Sequence, residues 1–218
     1  AFAGSKVSAT GSASLAGAQG FDDGEAIPFE ALVETAHQIS SAVDLTLSVD
    51  IESGFAVDLD ALTANAAALV EAGAVGCNLE DQLIVAGGLR HVREQAARIA
   101  AVTNAGLFVN ARTDIFLNAM RADEDPNRRE LVEEAIDRAV FYADAGAGSF
   151  IVPGLSDAAL IEQLAKEVPL PLNVMRLPGM VSNSELAQLG VARISYGPGP
   201  WREAMAGIEN AAKQAFSN

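Results

Sequence analysis

The chain has 218 residues, of which 50% are hydrophobic and only 6% aromatic, and its formal net charge is −15. This length suits one large domain, and the excess of small and branched aliphatic residues is typical of parallel strands covered by helices, which argues against disorder. A domain this acidic repels phosphate backbones and anionic lipids, so we expect no nucleic-acid or membrane partner. Cys77 is the only cysteine, which excludes an internal disulfide, and no transmembrane or signal segment is visible, so we expect a cytoplasmic protein.

The predicted elements follow one another as strand, helix and short turn along the whole chain. Predicted strands lie near Lys6–Thr10, Leu45–Ile51, Val75–Glu80, Leu107–Arg112, Ser149–Val152, Leu172–Met175 and Arg193–Tyr196. Predicted helices lie near Phe29–Val43, Leu59–Ala72, Leu89–Val102, Asn127–Ala145, Asp157–Glu167, Ser182–Leu189 and Trp201–Phe216. This alternation predicts a single α/β domain over residues 1–218, built as a closed barrel or as an open doubly wound sheet.

Turn and capping residues mark where the predicted helices begin and end. Four glycines stand where a helix C-terminus requires a positive φ, namely Gly73, Gly106, Gly146 and Gly190. Three polar residues are predicted N-caps, namely Asp58, Ser156 and Ser182. Neither a GxGxxG motif nor a Walker A loop follows any predicted strand, which weakens the nucleotide-binding form of the open sheet. We therefore favour the barrel.

Acidic residues cluster where reactive groups of such barrels lie, at the carboxyl ends of strands. Asp50 and Glu52 end the second predicted strand, and alternation of side chains places them on the same side. Glu80 ends the next strand at the equivalent level, and the loop Gly20–Glu25 adds further acids. Clustered carboxylates repel one another unless they are protonated or bridged, so a hard divalent cation with oxygen ligands explains them best, and Mg²⁺ is the natural candidate.

The following strand places Asn110, Arg112 and Asp114 on one face. Arg112 is suited to clamp a substrate carboxylate with two parallel hydrogen bonds, on the far side of whatever the metal binds. The alternative is a structural ion pair of Arg112 with Asp114 or Glu80. For any single acid, a helix cap or an exposed loop position is also an ordinary explanation.

Several segments resemble the isocitrate lyase/phosphoenolpyruvate mutase superfamily, in the family's order and over nearly the whole chain. They are Gly20–Ile27, Leu47–Phe55, Gly73–Gln82, Val109–Leu117, Gly146–Leu155 and Pro169–Pro200. The match is to the short-chain bacterial, phosphonomutase-like branch. The resemblance implies a (β/α)8 TIM barrel that forms or breaks C–C or P–C bonds next to a carboxylate, through a Mg²⁺-stabilised enolate-like intermediate. It also implies a homo-oligomer, dimer or tetramer, with a small carboxylate substrate.

The resemblance also implies roles for individual residues. Asp50 resembles the direct Mg²⁺ ligand, and three further acids resemble those that hold the water shell of the metal, namely Asp23, Glu52 and Glu80. Gly11 and Ser12 are similar to the segment that binds the substrate carboxylate, and Arg112 resembles the arginine that completes this clamp. Asp50, Glu80 and Arg112 are thus the expected catalytic residues.

Two departures concern the acid-base groups. The isocitrate and methylisocitrate lyases carry a Lys-Lys-Cys-Gly-His gating loop where this chain has only Leu83–Gly88, and Cys77 is no substitute because it faces the opposite side of its strand. The mutases and phosphonopyruvate hydrolases carry a histidine on the strand that here contains Phe150–Pro153. His37 and His91 are expected at the surface. Asn173, Ser195 or a metal-bound water would have to transfer protons, and Asn173 is an expected substrate-binding residue.

A third departure concerns the termini. Members of the family have a helix and a strand before the segment that matches Ala1, so we expect a barrel that lacks its first strand and helix and leaves an unpaired edge. The last predicted helix, Trp201–Phe216, stands where family members often continue into a helix exchanged between subunits.

Three functions are compatible with these patterns. The leading hypothesis is a Mg²⁺-dependent lyase, mutase or hydrolase of a 2-oxo acid or phosphonate. The second is a non-catalytic or differently specialised barrel that binds a small dicarboxylate or 2-oxo acid, which the short loop and the missing His and Cys favour. The third is an unrelated metal-dependent aldolase barrel. A Schiff-base aldolase is disfavoured because no lysine ends a predicted strand.

Overall fold

The fold is built around a parallel sheet of seven strands. The computed structural model describes Gly4 and residues 6–217. The strands are β1 (Val7–Ala9), β2 (Thr46–Asp50), β3 (Ala74–Glu80), β4 (Phe108–Arg112), β5 (Ser149–Val152), β6 (Leu172–Met175) and β7 (Arg193–Ser195). Each strand pairs in parallel with the next one in the chain, so the order of strands in the sheet is their order in the sequence. All seven predicted strands are confirmed, and the sequential order is that of a barrel rather than of a doubly wound sheet.

Helices connect the strands and cover one face of the sheet. They are α1 (Ser12–Ala18), α2 (Phe29–Ala42), α3 (Leu59–Glu71), α4 (Val92–Asn104), α5 (Ile115–Arg121), α6 (Arg129–Asp144), α7 (Ala158–Glu167), α8 (Asn183–Gln188) and α9 (Gly199–Phe216). The seven predicted helices are present, and α1 and α5 were not predicted. Both have only seven residues and no side-chain cap, so neither carries a periodic pattern or a start signal that the sequence would reveal.

The expected capping residues are confirmed with one exception. The side chain of Asp58 accepts a hydrogen bond from Ala61 N, and Ser182 forms a reciprocal capping box with Glu185. The predicted cap at Ser156 is wrong, because Asp157 caps α7 by accepting from Leu160 N at 2.9 Å. All four glycines predicted at helix ends have φ between 94 and 107°.

Strand side chains alternate between an apolar and a polar face. On β2 and β3, Val49, Cys77 and Leu79 are fully buried in the core that the helices cover, which confirms Cys77 as a packed core thiol. The opposite face carries Asp50 and Asn78, which are cross-strand partners in the sheet register. The polar face is therefore the inside of the barrel, and it is where a site can form.

The described residues form an open arc of the barrel. The sheet begins at β1 and ends at β7, and within residues 6–217 these two strands are not hydrogen-bonded to each other. The parallel α/β architecture of the expected barrel is thus confirmed, while an eighth strand and full closure stay a prediction. Over the same residues, each helix is too short or too polar to span a bilayer.

Candidate active site

Two neighbouring cavities lie at the carboxyl ends of the strands, and Arg112 lines both of them. The central cavity has a volume of about 750 Å³, and its polar lining includes Gly11, Asp50, Asn78, Arg112, Arg193 and Ser195. The acidic cavity has a volume of about 340 Å³, and its polar lining includes Ser12, Asp23, Glu52, Glu80, Arg112 and Arg121. Seven of the eight site residues expected from the sequence therefore surround these two spaces, and the eighth, Asn173, contacts the wall of the central cavity through Ser195.

Asp50 ends β2 and is held by weak contacts only. Its carboxylate accepts hydrogen bonds from the backbone N–H of Ser12 at 3.4 Å and of Glu52 at 3.3 Å. Burial raises the pKa of Asp50, although the charge of Arg112 opposes this rise. The carboxylate thus sits desolvated at the cavity wall with long, weak hydrogen bonds, which leaves acceptor capacity for a cation.

Glu52 lies beyond the end of β2, in a left-handed conformation with φ 50°. Its Oε1 accepts the backbone N–H of Glu25 at 2.9 Å, and Glu25 itself has φ 59°. The carboxylate of Glu25 in turn accepts from Ser53 Oγ at 2.7 Å and from Phe55 N at 2.9 Å. The loops after β1 and β2 are therefore held together by hydrogen bonds of Glu25 and Glu52. Both residues have a strained, left-handed backbone, and such strain is concentrated at functional sites.

Burial raises the pKa of Glu52 to about 7, and the neighbouring charge of Asp23 adds to the rise, while the N–H of Glu25 works against it. Asp23 is exposed and lines the acidic cavity with Glu52 and Glu80, and its charge also raises the pKa of Asp50. The sequence prediction that Asp50 and Glu52 share one side holds in space. The reason is different, since Glu52 is placed by the loop and not by strand alternation.

Arg98 anchors the loop after β2 through buried hydrogen bonds. It extends from α4, is 1% exposed, and donates to the carbonyl oxygens of Ser53 at 2.6 Å and Ala56 at 2.9 Å. Gly54 packs so closely that a Cβ there would lie 2.4 Å from Leu62. The loop that carries Glu52 is therefore fixed by a buried guanidinium and a tight backbone approach.

Arg112 is held by two carboxylates. Its Nε and Nη2 donate to Asp114 at 2.6 and 3.0 Å, and its Nη1 lies 2.8 Å from Glu80 Oε2. Burial works against the charge, but Glu80 and Asp114 outweigh it and raise the pKa of Arg112. Burial also raises the pKa of Glu80 despite its arginine partner. Arg112 therefore lies against Glu80 rather than across the cavity from it, and the structural ion pairs considered from the sequence are both present.

This pairing leaves some of the N–H donors of Arg112 available to bind a ligand. A guanidinium has five N–H donors, and the contacts with Asp114 and Glu80 use three of them. The side chain remains 16% exposed and faces both cavities. A substrate carboxylate can still be bound by the remaining donors, but on an arginine whose charge is already matched by two acids.

Asp81 braces the strand ends behind the site. It is fully buried, and its carboxylate accepts from Asp114 N at 2.9 Å, Tyr142 Oη at 2.8 Å and Arg138 Nη1 at 3.2 Å. Burial raises the pKa of Asp81, opposed by these donors. The brace fixes β3 and β4 relative to α6, and so fixes the position of Asp114, the partner of Arg112.

Amides form a polar row across the inner face of the sheet. Asn110 Nδ2 donates to Asn78 Oδ1 at 2.8 Å, and Ser149 Oγ donates to Asn110 Oδ1 at 2.7 Å. On the next strands, Ser195 Oγ donates to Asn173 Oδ1 at 3.3 Å. Asn173 is fully buried, and its Nδ2 has no partner among the described residues. An unpaired buried amide donor calls for a ligand or water acceptor in this position.

Gly11 and Ser12 stand at the start of α1, as the expected carboxylate-binding segment. Gly11 is the N-cap, without a side-chain cap, and the N–H of Ser12 points to Asp50. Gly11 lines the central cavity and Ser12 the acidic one. The segment is thus close to the acids, and the N–H of Ser12 is directed toward Asp50, the expected metal ligand.

The acids fit a hydrated Mg²⁺ better than a directly caged metal. All four candidate ligands are carboxylates, the donor type that Mg²⁺ prefers, and three of them are at most 9% exposed with raised pKa values. Within the described part of the chain, no group of three or more His, Cys, Asp or Glu side chains is arranged to hold a metal directly. The resemblance assigned one direct ligand and a water shell, and Mg²⁺ characteristically keeps several waters.

The expected departures from the lyases and mutases are also visible. Residues 83–88 form a tight turn, in which Leu83 and Gly88 are joined by a backbone hydrogen bond of 2.9 Å. His37 is exposed on α2, and His91 is the exposed N-cap of α4. On β5 the residue that lines the central cavity is Ile151, and the described lining of this cavity contains no histidine.

Four residues of the site were missed by the sequence analysis, namely Glu25, Asp81, Arg98 and Arg193. Glu25 and Asp81 stood within quoted acidic segments, so the signal was present but gave no means of ranking the acids. Arg98 looked like an ordinary helical charge, and its buried contacts reach 45 residues back along the chain. Arg193 was noted only as the start of a strand.

Comparison with known proteins assigns the family. The model of a family described as phosphoenolpyruvate phosphomutase matches residues 1–216. A 2-methylisocitrate lyase of Bacillus subtilis is 31% identical over 169 residues, which cover 73% of this chain and 52% of the lyase. The chain spans between 47% and 65% of the length of the curated relatives that it matches.

Solved structures agree with this result. A Burkholderia cenocepacia protein with a provisional description as a phosphonomutase has a TM-score of 0.91 and 43% identity, over 97% of this chain and 87% of that one. A phosphonopyruvate hydrolase in complex with oxalate and Mg²⁺ has a TM-score of 0.76 and 22% identity, over 97% and 77% of the two chains, which shows a shared fold. The resemblance found in the sequence is confirmed, and an unrelated aldolase barrel is set aside. The chain belongs to the phosphoenolpyruvate mutase/isocitrate lyase superfamily, whose named members are lyases, mutases and hydrolases.

Proposed function

We propose that this protein is a Mg²⁺-dependent lyase, mutase or hydrolase that makes or breaks a C–C or P–C bond in a small 2-oxo acid or phosphonate, through an enolate-like intermediate. One observation carries the proposal. Asp50, Glu52 and Glu80 are buried together, each with a raised pKa, at or just beyond the ends of β2 and β3, and Arg112 lines the cavities with them. Such a cluster is costly to maintain unless it serves a site. Family membership and the oxalate and Mg²⁺ of a structural neighbour supply the chemical class.

The acids divide into a direct ligand and a supporting set. Asp50 would hold Mg²⁺, because its carboxylate lines the central cavity, with Asp23, Glu52 and Glu80 around the metal's waters. Bound there, Mg²⁺ would polarise the 2-oxygen of the substrate and stabilise negative charge that develops on it. The ion would also relieve the repulsion among carboxylates that burial leaves poorly screened.

The remaining groups bind and orient the substrate. The free N–H groups of Arg112 and the start of α1 at Gly11 and Ser12 would bind the substrate carboxylate and keep it coplanar with the reacting carbon. Asp114 and Glu80 fix the guanidinium, so this orientation needs no rearrangement on binding. On the β6 and β7 side of the cavity, Asn173 would hydrogen-bond the substrate, and the hydroxyl of Ser195, which is hydrogen-bonded to Asn173 Oδ1, would relay a proton.

A second candidate function is supported by two places in the site that do not present an acid-base side chain. The tight turn of residues 83–88 brings Ile84 to the acidic cavity, and β5 presents Ile151 to the central one, so neither place supplies an acid-base side chain. A barrel that binds a small dicarboxylate or 2-oxo acid without converting it is compatible with this. Incubation with oxaloacetate, phosphonopyruvate and substituted malates, followed by assays for pyruvate and phosphate, separates the two functions.

The test of the shared metal site uses oxalate, a stable mimic of an enolate. Thermal unfolding is followed with oxalate alone, Mg²⁺ alone and both together. The proposal requires an increase in Tm that needs both components, since binding to the native state stabilises it. If the pair produces no increase beyond the single components, both the metal site and the enolate chemistry lose their support.

We also propose a cytoplasmic homo-oligomer, dimer or tetramer, in a barrel completed by an eighth strand. Support for association comes from α9, which has 18 residues, none of them buried, and exposes Met205, Ile208 and Phe216. An exposed apolar helix face of this kind marks an interaction surface. Light scattering after size-exclusion chromatography measures the oligomeric state.

A further inference from the structure

The central cavity contains one cation that is not neutralised. Its charged lining residues are Asp50, Arg112 and Arg193. Arg112 is already bound to Glu80 and Asp114. The guanidinium of Arg193 forms no hydrogen bond or ion pair with any residue that the structure describes, although the charge of Asp50 is near enough to act on it. An acidic protein thus presents an exposed, unpaired arginine at the cavity that its candidate metal ligand, Asp50, also lines.

The sheet register places this arginine on the inner face. Arg193 is the cross-strand partner of Asn173, which pairs with Ile151, which pairs with Arg112. Arg112 and Arg193 therefore belong to one row, three strands apart, or roughly 14 Å along the sheet at the usual strand spacing. Both side chains line the same cavity of about 750 Å³. The row leaves room for a small molecule between the two arginines.

Further donors stand beside Arg193. Asn173 Nδ2 is a fully buried donor without a partner among the described residues. Ser195, two positions after Arg193, lines the cavity and is oriented by its hydrogen bond to Asn173 Oδ1. A guanidinium, an amide N–H and a hydroxyl together match the acceptor oxygens of a carboxylate or phosphonate.

We propose that Arg193 is a specificity-determining residue that binds the second acid group of the substrate, with Asn173 and Ser195 beside it. The proposal rests on the function proposed above, in which the first acid group lies at the Asp50 and Arg112 end. A substrate with acid groups at both ends would be bound by both, whereas a 2-oxo acid with a single acid group would leave Arg193 unpaired in the complex.

The test compares ligands that share one end and differ at the other. Affinities are measured by calorimetry in Mg²⁺ for L-malate, L-lactate and oxalate, where lactate lacks the distal carboxylate of malate and oxalate has its two carboxylates on adjacent carbons, with no distal acid group. The wild type is compared with Arg193→Gln and Arg193→Lys. Arg129→Gln is the matched control, because Arg129 is exposed on α6 and lines neither cavity.

We expect malate to bind the wild type roughly tenfold more tightly than lactate, as for one charge-assisted contact. Arg193→Gln should abolish this difference and leave oxalate binding unchanged, Arg193→Lys should keep part of it, and Arg129→Gln should keep all of it. Equal affinities of the wild type for malate and lactate, with oxalate bound, would overturn the role of Arg193 alone. A parallel loss of malate and oxalate binding in Arg193→Gln would also overturn it. Absence of oxalate binding to the wild type would overturn the proposed function, and the role of Arg193 with it.

Discussion

Arg112 donates two hydrogen bonds to the carboxylate of Asp114, two residues further along the chain, from Nε at 2.6 Å and from Nη2 at 3.0 Å. Asp114 is fully buried, so this pair is formed away from water and fixes the plane of the guanidinium. The remaining terminal nitrogen is thereby directed to Glu80. The geometry at the centre of the site thus depends on an acid that is not a candidate metal ligand and lines neither cavity.

Replacing Asp114 by Asn should destabilise the protein strongly, because it leaves Arg112 with one buried partner fewer. Breaking a buried pair typically costs about 3 kcal/mol in the free energy of unfolding. Arg121→Gln is the matched control, since Arg121 contacts the same carboxylate at 3.5 Å but is 53% exposed, and such a pair contributes about 0.5 kcal/mol. Urea unfolding measures both variants, and equal losses would contradict the role given to the buried pair.

The parts of this site that follow local rules could be predicted from the sequence. Strand periodicity, the glycines after helices and the acid at the end of β2 depend on neighbouring residues, and they placed Asp50, Glu80 and Arg112 correctly at the carboxyl ends of three strands. Cys77 was also placed correctly, because its position relative to Glu80 determines its face.

The parts that depend on distant contacts could not be predicted. Strand alternation was applied to Glu52, but β2 ends at Asp50 and the backbone of Glu52 is left-handed. That conformation is maintained by Glu25 and Arg98, which lie 27 residues before and 46 residues after Glu52. The sequence contains no periodicity or spacing rule that links such positions, so the contacts that hold this loop are seen only in the three-dimensional structure.

Replacing Arg98 by Met should weaken the loop that carries Glu52. The carbonyl oxygens of Ser53 and Ala56 would lose their buried donor, and a hydrogen bond to a charged group contributes about 2 kcal/mol. Arg93→Met on the same helix removes an exposed arginine stacked 5.1 Å from Phe141, and should cost about 0.5 kcal/mol. Chemical unfolding gives the stabilities, and limited proteolysis around residues 53–57 reports the loop. Unchanged cleavage in Arg98→Met would contradict the anchoring.

The raised pKa of Glu52 predicts a pH dependence of stability in the absence of metal. Its folded pKa is about 7 against an ordinary 4.5, so between these values the folded state binds more protons than the unfolded state. Stability should therefore fall as pH rises from 5 through 7, and the sign is opposite to that of a salt-bridged carboxylate.

The measurement is urea unfolding with a chelator at several pH values across this range. Glu52→Gln keeps an acceptor for Glu25 N and should flatten the decline, while Asp137→Asn, which removes an exposed carboxylate on α6, should leave it in place. Parallel curves for the wild type and Glu52→Gln would show that this glutamate is not the group responsible.

Replacing Asp50 by Asn should have opposite effects with and without metal. Without Mg²⁺, the variant removes a desolvated charge near Glu52 and Asp23 while keeping an acceptor oxygen, so its Tm should equal or exceed that of the wild type. With Mg²⁺ and oxalate, the wild type should gain stability and Asp50→Asn should not, because the direct ligand is lost. Asp60→Asn, on the exposed first turn of α3, is the control and should behave as the wild type does. If Mg²⁺ and oxalate raise the Tm of Asp50→Asn as much as that of the wild type, Asp50 is not the ligand of the ion. If the Tm of Asp50→Asn without metal is lower than that of the wild type, the ionised carboxylate stabilises the metal-free fold.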